Sequence, residues 1–356
     1  MRYAERVDAR LIGLLVAFAT VCAVVASERP GVATAPSPLD PDVRTALLLR
    51  AEGLPRMRSL LVSVDGVLVE EHYYRGATAE RAANLKSASK SILSILVGIA
   101  IDHGYISGVD QPIADYFPDD LSAETDPDKA AITIEDLLTM QSGLETTSNR
   151  NYGRWVQSSN WVRHILSRPM VTRPGGRRVY STGNTHLLSA IITSSTGVST
   201  LEFGRRHLAQ PLGFRLPAWL QDPQGIYFGG NEMLMTPRAM IAVGQLVLSC
   251  GMFEGRQIVS ESWVLDSMVP RSRSERSGRE YGYSWWLRTM EGLDVYYAWG
   301  YGGQFIFIVP ELQLVVAVTS SPSPGEGRRE HLRTVYDMVE RQVIPAVQRR
   351  SRVEKG

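Results

Sequence analysis

KSASKSILSILVGIAIDHG, residues 86–104, decides the fold. From Ser87 to Asp102 the run is apolar on nearly every face, through Ile92, Leu93, Ile95, Leu96, Val97, Ile99 and Ile101, and it stops at His103-Gly104. That pattern predicts a central, buried helix. At its head, Ser87 and Lys90 stand three residues apart and share one face within hydrogen-bond reach, the geometry a nucleophile and its base require. A serine hydroxyl at its free pKa is a poor nucleophile, whereas a desolvated lysine loses enough basicity to accept that proton. The free N–H groups of the first helical turn also point at developing negative charge. The plain alternative is that Ser87 caps the helix and Lys90 reaches solvent, and S-x-x-K alone does not exclude it. What opposes it is context: Lys90 is embedded in the apolar run and is the only one of four lysines, Lys86, Lys90, Lys129 and Lys355, with a serine three residues earlier. The other basic residues are arginines, which stay protonated and cannot serve as bases.

Outward from this helix, SLLVSVDGVLVEEHYY (59–74) alternates apolar and polar residues on both sides of Asp65-Gly66, which predicts two antiparallel strands joined by a tight turn. A short helix is expected near Pro41. On the C-terminal side, signals up to about residue 284 are mainly helical: Thr133 to Asp136 has a capping-box pattern, and Thr236-Pro237 opens a helix ending near Gly251. RSRSERSGRE (271–280) reads as an exposed charged loop. Strand patterns return in VYYAW, QFIFIV and LQLVVAVTS, separated by Gly302-Gly303 and Pro310-Glu311, and an amphipathic helix from about Glu330 to Val347 closes the chain. Strands at both ends with helices between imply an α/β (α+β) fold, in which one antiparallel sheet of N- and C-terminal strands is flanked by helices and a helical region of about 106–284 is inserted. The folded domain then spans 41–350.

Before it, Arg2, Arg6 and Arg10 precede an apolar run from Leu11 to Ala26 that is short for a membrane span and ends in small residues. Residues 1–26 therefore read as a signal peptide or an N-terminal anchor, and 27–40, rich in Pro and Ser, as a linker. Export to a periplasmic or extracellular space is expected, with membrane attachment only through an uncleaved N-terminal segment. Of the two cysteines, Cys22 lies in the apolar run, so cleavage there would leave Cys250 alone, with neither a disulfide framework nor a metal-ligand pair. The six histidines show no metal-binding spacing and are expected to cap helices or face solvent. Against 37 acidic residues stand 38 basic ones, a net charge of +1, so no global field exists to hold nucleic acid. A small-molecule substrate and no cofactor fit better; oligomeric state is not legible.

KSASKSILSILVGIAIDHG resembles the active-site helix of the class C β-lactamase-like serine hydrolases, which include penicillin-binding proteins, esterases and 6-aminohexanoate-dimer hydrolases. ITIEDLLTMQSGL (132–144), PGGRRVYSTGNTHLLSAII (174–192), GGNEMLMTPRAM (229–240) and WGYGGQFIFIVPEL (299–312) resemble successive blocks of that family, in order. The resemblance implies that Tyr180, at the tyrosine of the family's Y-x-N element, shares with Lys90 the proton taken from Ser87. The asparagine of that element corresponds to Thr182, with Asn184 two residues later, so amide recognition by a carboxamide is put in doubt. The family's K-T-G or H-x-G element corresponds to Tyr301-Gly302-Gly303, where no cation stands, which argues against carboxylate-bearing penicillins and peptidoglycan peptides. By position the Gln304 N–H would join that of Ser87 as oxyanion hole. Esterase-like cleavage of a small ester or amide through an acyl-enzyme is thus the leading expectation. A D,D-peptidase or β-lactamase, and a non-catalytic binding protein on the same fold, are the alternatives.

Overall fold

Asp65 and Gly66 both adopt positive φ, 53° and 79°, as the two-residue turn of a twisted hairpin demands, and the strands they join follow directly. In the computed structural model, described for residues 37, 39–122, 126–275 and 277–354, the main elements in chain order are α1 (Pro41–Glu52), β1 (Met57–Val64), β2 (Val67–Tyr73), α2 (Ser89–Asp102), α3 (Ile134–Leu138), α4 (Thr182–Thr196), α5 (Pro237–Leu248), β3 (Leu293–Gly300), β4 (Gln304–Val309), β5 (Leu314–Ser320) and α6 (Arg328–Met338). The expected signal segment, and most of the linker, lie outside the described residues.

The chain divides into two units. One holds the residues up to Leu85, Met235–Gln257 and the residues from Arg288 onward. Its five long strands run in the order β2-β1-β5-β4-β3, every neighbouring pair antiparallel, so the N-terminal hairpin lies beside the last strand of the chain. β4 and β5 are buried along their whole length, which is why QFIFIV and LVVAVTS read as continuous apolar runs rather than alternating ones. Thr236 caps α5 by accepting from the Ala239 N–H, with Pro237 in the first turn, and the helix lies tight on the sheet: a Cβ on Gly244 would come within 2.4 Å of Val315 Cγ1. The closing helix starts at Arg328 and passes through a π-helical turn, Val339–Val343, before Ile344–Glu354, keeping Val335, Tyr336, Met338, Val339 and Val343 buried across the irregularity.

The other unit comprises Lys86–Leu234 and Ile258–Leu287 and is mainly helical. α2 is its axis, with every residue from Ser89 to Ala100 buried. Gly98 admits the Trp263 ring, which a Cβ there would meet at 2.3 Å. The expected capping box is present on α3: Thr133 accepts from the Asp136 N–H at 3.2 Å, and the Asp136 carboxylate accepts from the Thr133 N–H at 2.9 Å. The stretch 271–280 is exposed at Arg273, Glu275, Ser277 and Gly278, as its charges lead one to expect, but it is paired rather than a loop. Ser272–Arg273 pairs antiparallel with Glu280–Tyr281, because Ser272 Oγ donates to the Thr139 carbonyl at 2.8 Å and the Tyr281 ring is buried, anchoring both short strands.

Candidate active site

Chain entry into α2 is strained at one residue. Lys86 has φ 51°, left-handed for a residue with a Cβ, and is held by an ion pair from its Nζ to Glu232 at 2.6 Å. Its carbonyl accepts from Ser89 Oγ at 2.7 Å, and Lys86–Ala88 form a 3-10 turn that leads into α2. Ser87 sits half-buried on that turn, two residues ahead of the α-helix proper.

Lys90, on the first turn of α2, is 1% exposed. Its Nζ lies 2.6 Å from the Gly230 carbonyl, 3.3 Å from Thr182 Oγ1 and 3.5 Å from Ser87 Oγ. No carboxylate is among these neighbours, and burial alone depresses the ammonium from 10.5 to about 7. A neutral amine has two N–H donors and one lone pair. Once neutral, the amine can give its donors to the Gly230 and Thr182 oxygens and turn its lone pair toward Ser87 Oγ.

Gly230 was not singled out from the sequence as a site residue, although it lies in the GGN start of a quoted block. It has φ 84°, and a Cβ would come within 2.2 Å of Thr185 Oγ1 and 2.8 Å of Lys90 Nζ. Only glycine lets this carbonyl approach the amine. Behind it, His186 Nε2 meets Asp222 Oδ2 at 3.0 Å, and His186 Nδ1 accepts from the Gly229 N–H at 3.3 Å. That acceptance fixes the tautomer, so Nε2 carries the proton and donates to Asp222. Both side chains are fully buried, and desolvation pushes the His186 pKa down against the pull of Asp222. The remaining Asp222 oxygen accepts from the Gln224 and Ile226 N–H groups, both at 2.9 Å, which locks the loop that delivers Gly230. The expectation that the histidines cap helices or face solvent therefore fails for His186, because the rings of Trp155, Trp161 and Phe228 enclose it. It fails also for His331, buried with Nε2 on Ser320 Oγ at 2.8 Å.

Tyr180 immediately precedes α4, and three consecutive hydroxyl residues clamp that junction. Thr146 Oγ1 donates to the Tyr180 carbonyl at 2.7 Å, Thr147 Oγ1 accepts from the Gly183 N–H at 2.9 Å, and Ser148 Oγ accepts from the Thr182 N–H at 2.9 Å. The Lys90 Nζ lies 5.4 Å from the Tyr180 ring centre. Burial raises the phenol's pKa, opposed by a hydrogen bond with Ser87 and by the charge of Arg178. Ser87, Lys90, Tyr180 and Thr182 are thus brought together. Asn184 is fully buried one turn on, accepting from Ser142 Oγ at 3.1 Å. The sequence signal for the clamp was the TTS run after the 132–144 block, and for Arg178 the pair of arginines before Tyr180; neither pattern announces a function without coordinates.

Tyr301, Gly302, Gly303 and Gln304 belong to the sheet unit. Gly302 and Gly303 have φ 88° and 111°, and Cβ atoms there would strike the Ser321 carbonyl at 2.5 Å and Ser320 Oγ at 2.9 Å. Gln304 is fully buried, with its amide donating to the Ser320 carbonyl at 2.7 Å and accepting from the Ser320 N–H at 3.1 Å. Tyr301 is partly exposed, and the Arg328 guanidinium, from the start of α6, stands 4.5 Å over its ring.

A helix-borne serine beside a buried, carboxylate-free lysine and a phenol is the equipment of a covalent hydrolase. The chain belongs to the family described as Beta-lactamase, whose model matches residues 52–337, and it is a serine hydrolase of the amide- and ester-cleaving type. It is 26% identical over 300 residues to the 6-aminohexanoate-dimer hydrolase of Paenarthrobacter ureafaciens, covering 77% of this chain and 74% of that protein. Its fold is similar to a penicillin-binding protein homologue from Caulobacter crescentus, with TM-score 0.67, 16% identity, and 84% and 98% of the two chains covered. It is similar also to a penicillin-binding protein from Bacillus halodurans, with TM-score 0.65, 16% identity, and 82% and 99% covered.

Proposed function

We propose that the chain cleaves an ester or amide of a small molecule through an acyl-enzyme on Ser87, with esters favoured. The observation that carries this reading is the fully buried Lys90 amine, depressed to about 7 and 3.5 Å from Ser87 Oγ, whose two shorter contacts are to oxygens that can take its donors. Ser87 Oγ attacks the carbonyl carbon as its proton passes to Lys90. Tyr180 gives its own proton to the departing alcohol or amine and recovers one from the Lys90 ammonium. The same pair then takes a proton from the water that attacks the acyl carbon and returns it to Ser87 Oγ as the bond between that oxygen and the acyl carbon breaks. The N–H groups of Ser87 and Gln304 as oxyanion donors are part of this proposal, supported by the 299–312 block. Each such donor is worth roughly 3 kcal/mol in comparable sites. Export is part of it too, supported by the run 11–26.

The named relative from Paenarthrobacter ureafaciens adds linear amides to the substrates to be tried. A second reading, D,D-peptidase or β-lactamase action, is favoured by Arg328, which offers a cation beside Tyr301 where the sequence alone has none. A panel of p-nitrophenyl esters, short linear amides and nitrocefin, read by intact mass with Ser87→Ala as control, tests the order. Ester or linear-amide turnover with an adduct absent from Ser87→Ala supports the proposal. Nitrocefin turnover without ester cleavage reverses it in favour of the second reading, and no adduct with any compound replaces it with a binding protein.

A further inference from the structure

Arg178 is the anomaly of the helical unit. Its guanidinium carbon lies 4.5 Å from the centre of the Tyr281 ring, 4.8 Å from that of Trp286 and 5.4 Å from that of Tyr180. Tyr281 is 1% exposed and Trp286 is buried. Within this aromatic cage the Arg178 Nε and Nη2 are buried and have no hydrogen-bond partner among the described residues. Desolvation weighs against its charge, and the only groups counteracting it are the Tyr281 and Tyr180 phenols; no carboxylate acts on it. The neighbouring Arg177, by contrast, is exposed and lies 4.0 Å from Glu275.

Guanidinium does not deprotonate in proteins, so a half-buried cation stands here with two of its nitrogens out of reach of solvent and no anion beside them. Such burial is costly, and structural arginines in protein interiors are normally paired. The cage contains two groups that can become anions. The Tyr281 phenol is driven strongly upward by burial and by Tyr180, so it stays neutral. Tyr180 bonds to Ser87 and faces Lys90 from α2. When Lys90 is neutral, Arg178 is the one permanent positive charge against the Tyr180 ring among the described residues.

We propose that Arg178 is a positioning residue that supplies the counter-charge for the Tyr180 phenolate. It rests on the reading of Tyr180 as the proton-handling partner of Ser87. In the acylation step Tyr180 loses its proton to the leaving group before recovering one from the Lys90 ammonium, and the phenolate that exists in between stands between that transient ammonium and a guanidinium already in place, the second of which keeps its charge after Lys90 has given up its proton. The resting enzyme stores an unpaired cation, and the reaction supplies its anion. This is preorganised electrostatic stabilisation, with no side-chain reorganisation needed at the moment of reaction.

The test reads Tyr180 directly, without substrate. Protein carrying ring-labelled tyrosine is titrated by NMR across the alkaline range, with Tyr180→Phe identifying the resonance, in wild type, Arg178→Lys, Arg178→Gln and Arg178→Met. Removing an opposite charge at this range should make Tyr180 roughly tenfold to a thousandfold weaker as an acid in the Gln and Met variants. Arg178→Lys should stay near wild type. Circular dichroism certifies folding, and Gln and Met give two independent neutral replacements if one does not fold. Coincident Tyr180 titrations in wild type and a folded neutral variant, or a Lys variant displaced as far as the neutral ones, would overturn the proposal. Because this readout is independent of acylation, absence of a Ser87 adduct in wild type would sink the proposed function while leaving the Arg178 result to be judged separately.

Discussion

Replacing Lys90 by methionine should make the protein more stable at neutral and acid pH while abolishing acylation. The fold holds this ammonium at about 7 against 10.5 for the free side chain, and the difference corresponds to roughly 5 kcal/mol at about 1.4 kcal/mol per tenfold. The unfolded chain binds the Lys90 proton between those two values and the folded chain does not, so wild-type stability rises with pH across that window. Below about 7 the whole cost is present, because the folded protein must bury the charge; above 10.5 it has gone. Methionine has a similar volume and no titration, but it leaves the Gly230 carbonyl without the donor that stood at 2.6 Å, a loss of about 2 kcal/mol. The variant should therefore be more stable than wild type by roughly 3 kcal/mol below neutrality and less stable by about 2 kcal/mol at the alkaline end, with a crossing between. Urea denaturation of both proteins over this pH range measures the difference directly, and titrations common to both cancel. A Lys90→Met variant that is less stable than wild type by the same amount at every pH would refute the idea that this amine is stored uncharged.

Three further outcomes follow from the same geometry. Acylation of wild type by an uncharged ester should rise tenfold per pH unit on the acid side and level off near 7, where Lys90 becomes the free base; stopped-flow burst rates read this limb. Gly230→Ala, which puts a Cβ 2.2 Å from Thr185 Oγ1 at φ 84°, should cost about 2–5 kcal/mol in a thermal melt, and in the folded fraction should slow acylation about a hundredfold by displacing Lys90. Asp222→Asn can still accept from His186 but cannot also accept from the Gln224 and Ile226 N–H groups in any one amide orientation, so a loss of about 1–3 kcal/mol in a urea titration is expected.

What was legible in the sequence was whatever is written in local periodicity. The Asp65-Gly66 turn, the Thr133 capping box and the Thr236-Pro237 helix start each carry their structural cause within a few residues and formed as read, and the apolar helix expected from Ser87 formed from Ser89, behind a 3-10 turn that carries Ser87. What was not legible depends on distant parts of the chain meeting. His186 looks like an ordinary polar residue on α4 until Asp222, 36 residues away, turns it into a buried link, and Gly230 is one of 31 glycines until its carbonyl is found on Lys90, 140 residues earlier. The 271–280 stretch misled for the related reason that charge reports solvent preference, whereas the strand pairing there is fixed by Ser272 and Tyr281, two anchors that composition averages away.

The two cations around Tyr180 explain why the chain uses lysine once and arginine once. Lys90 Nζ and the Arg178 guanidinium carbon are each 5.4 Å from the centre of the Tyr180 ring, Lys90 buried and Arg178 half-buried, and desolvation acts on both with no carboxylate opposing it. The same desolvation has opposite consequences for the two. An ammonium responds by releasing its proton, which turns burial into basicity and gives the serine somewhere to send its hydrogen. A guanidinium cannot respond, so burial there preserves a charge whose partner is absent until the phenol ionises. Exchanging the two side chains would put a permanent cation where a lone pair is required and a titrating amine where a fixed charge is required, so the conservative appearance of a lysine-for-arginine swap inverts the chemistry at both positions.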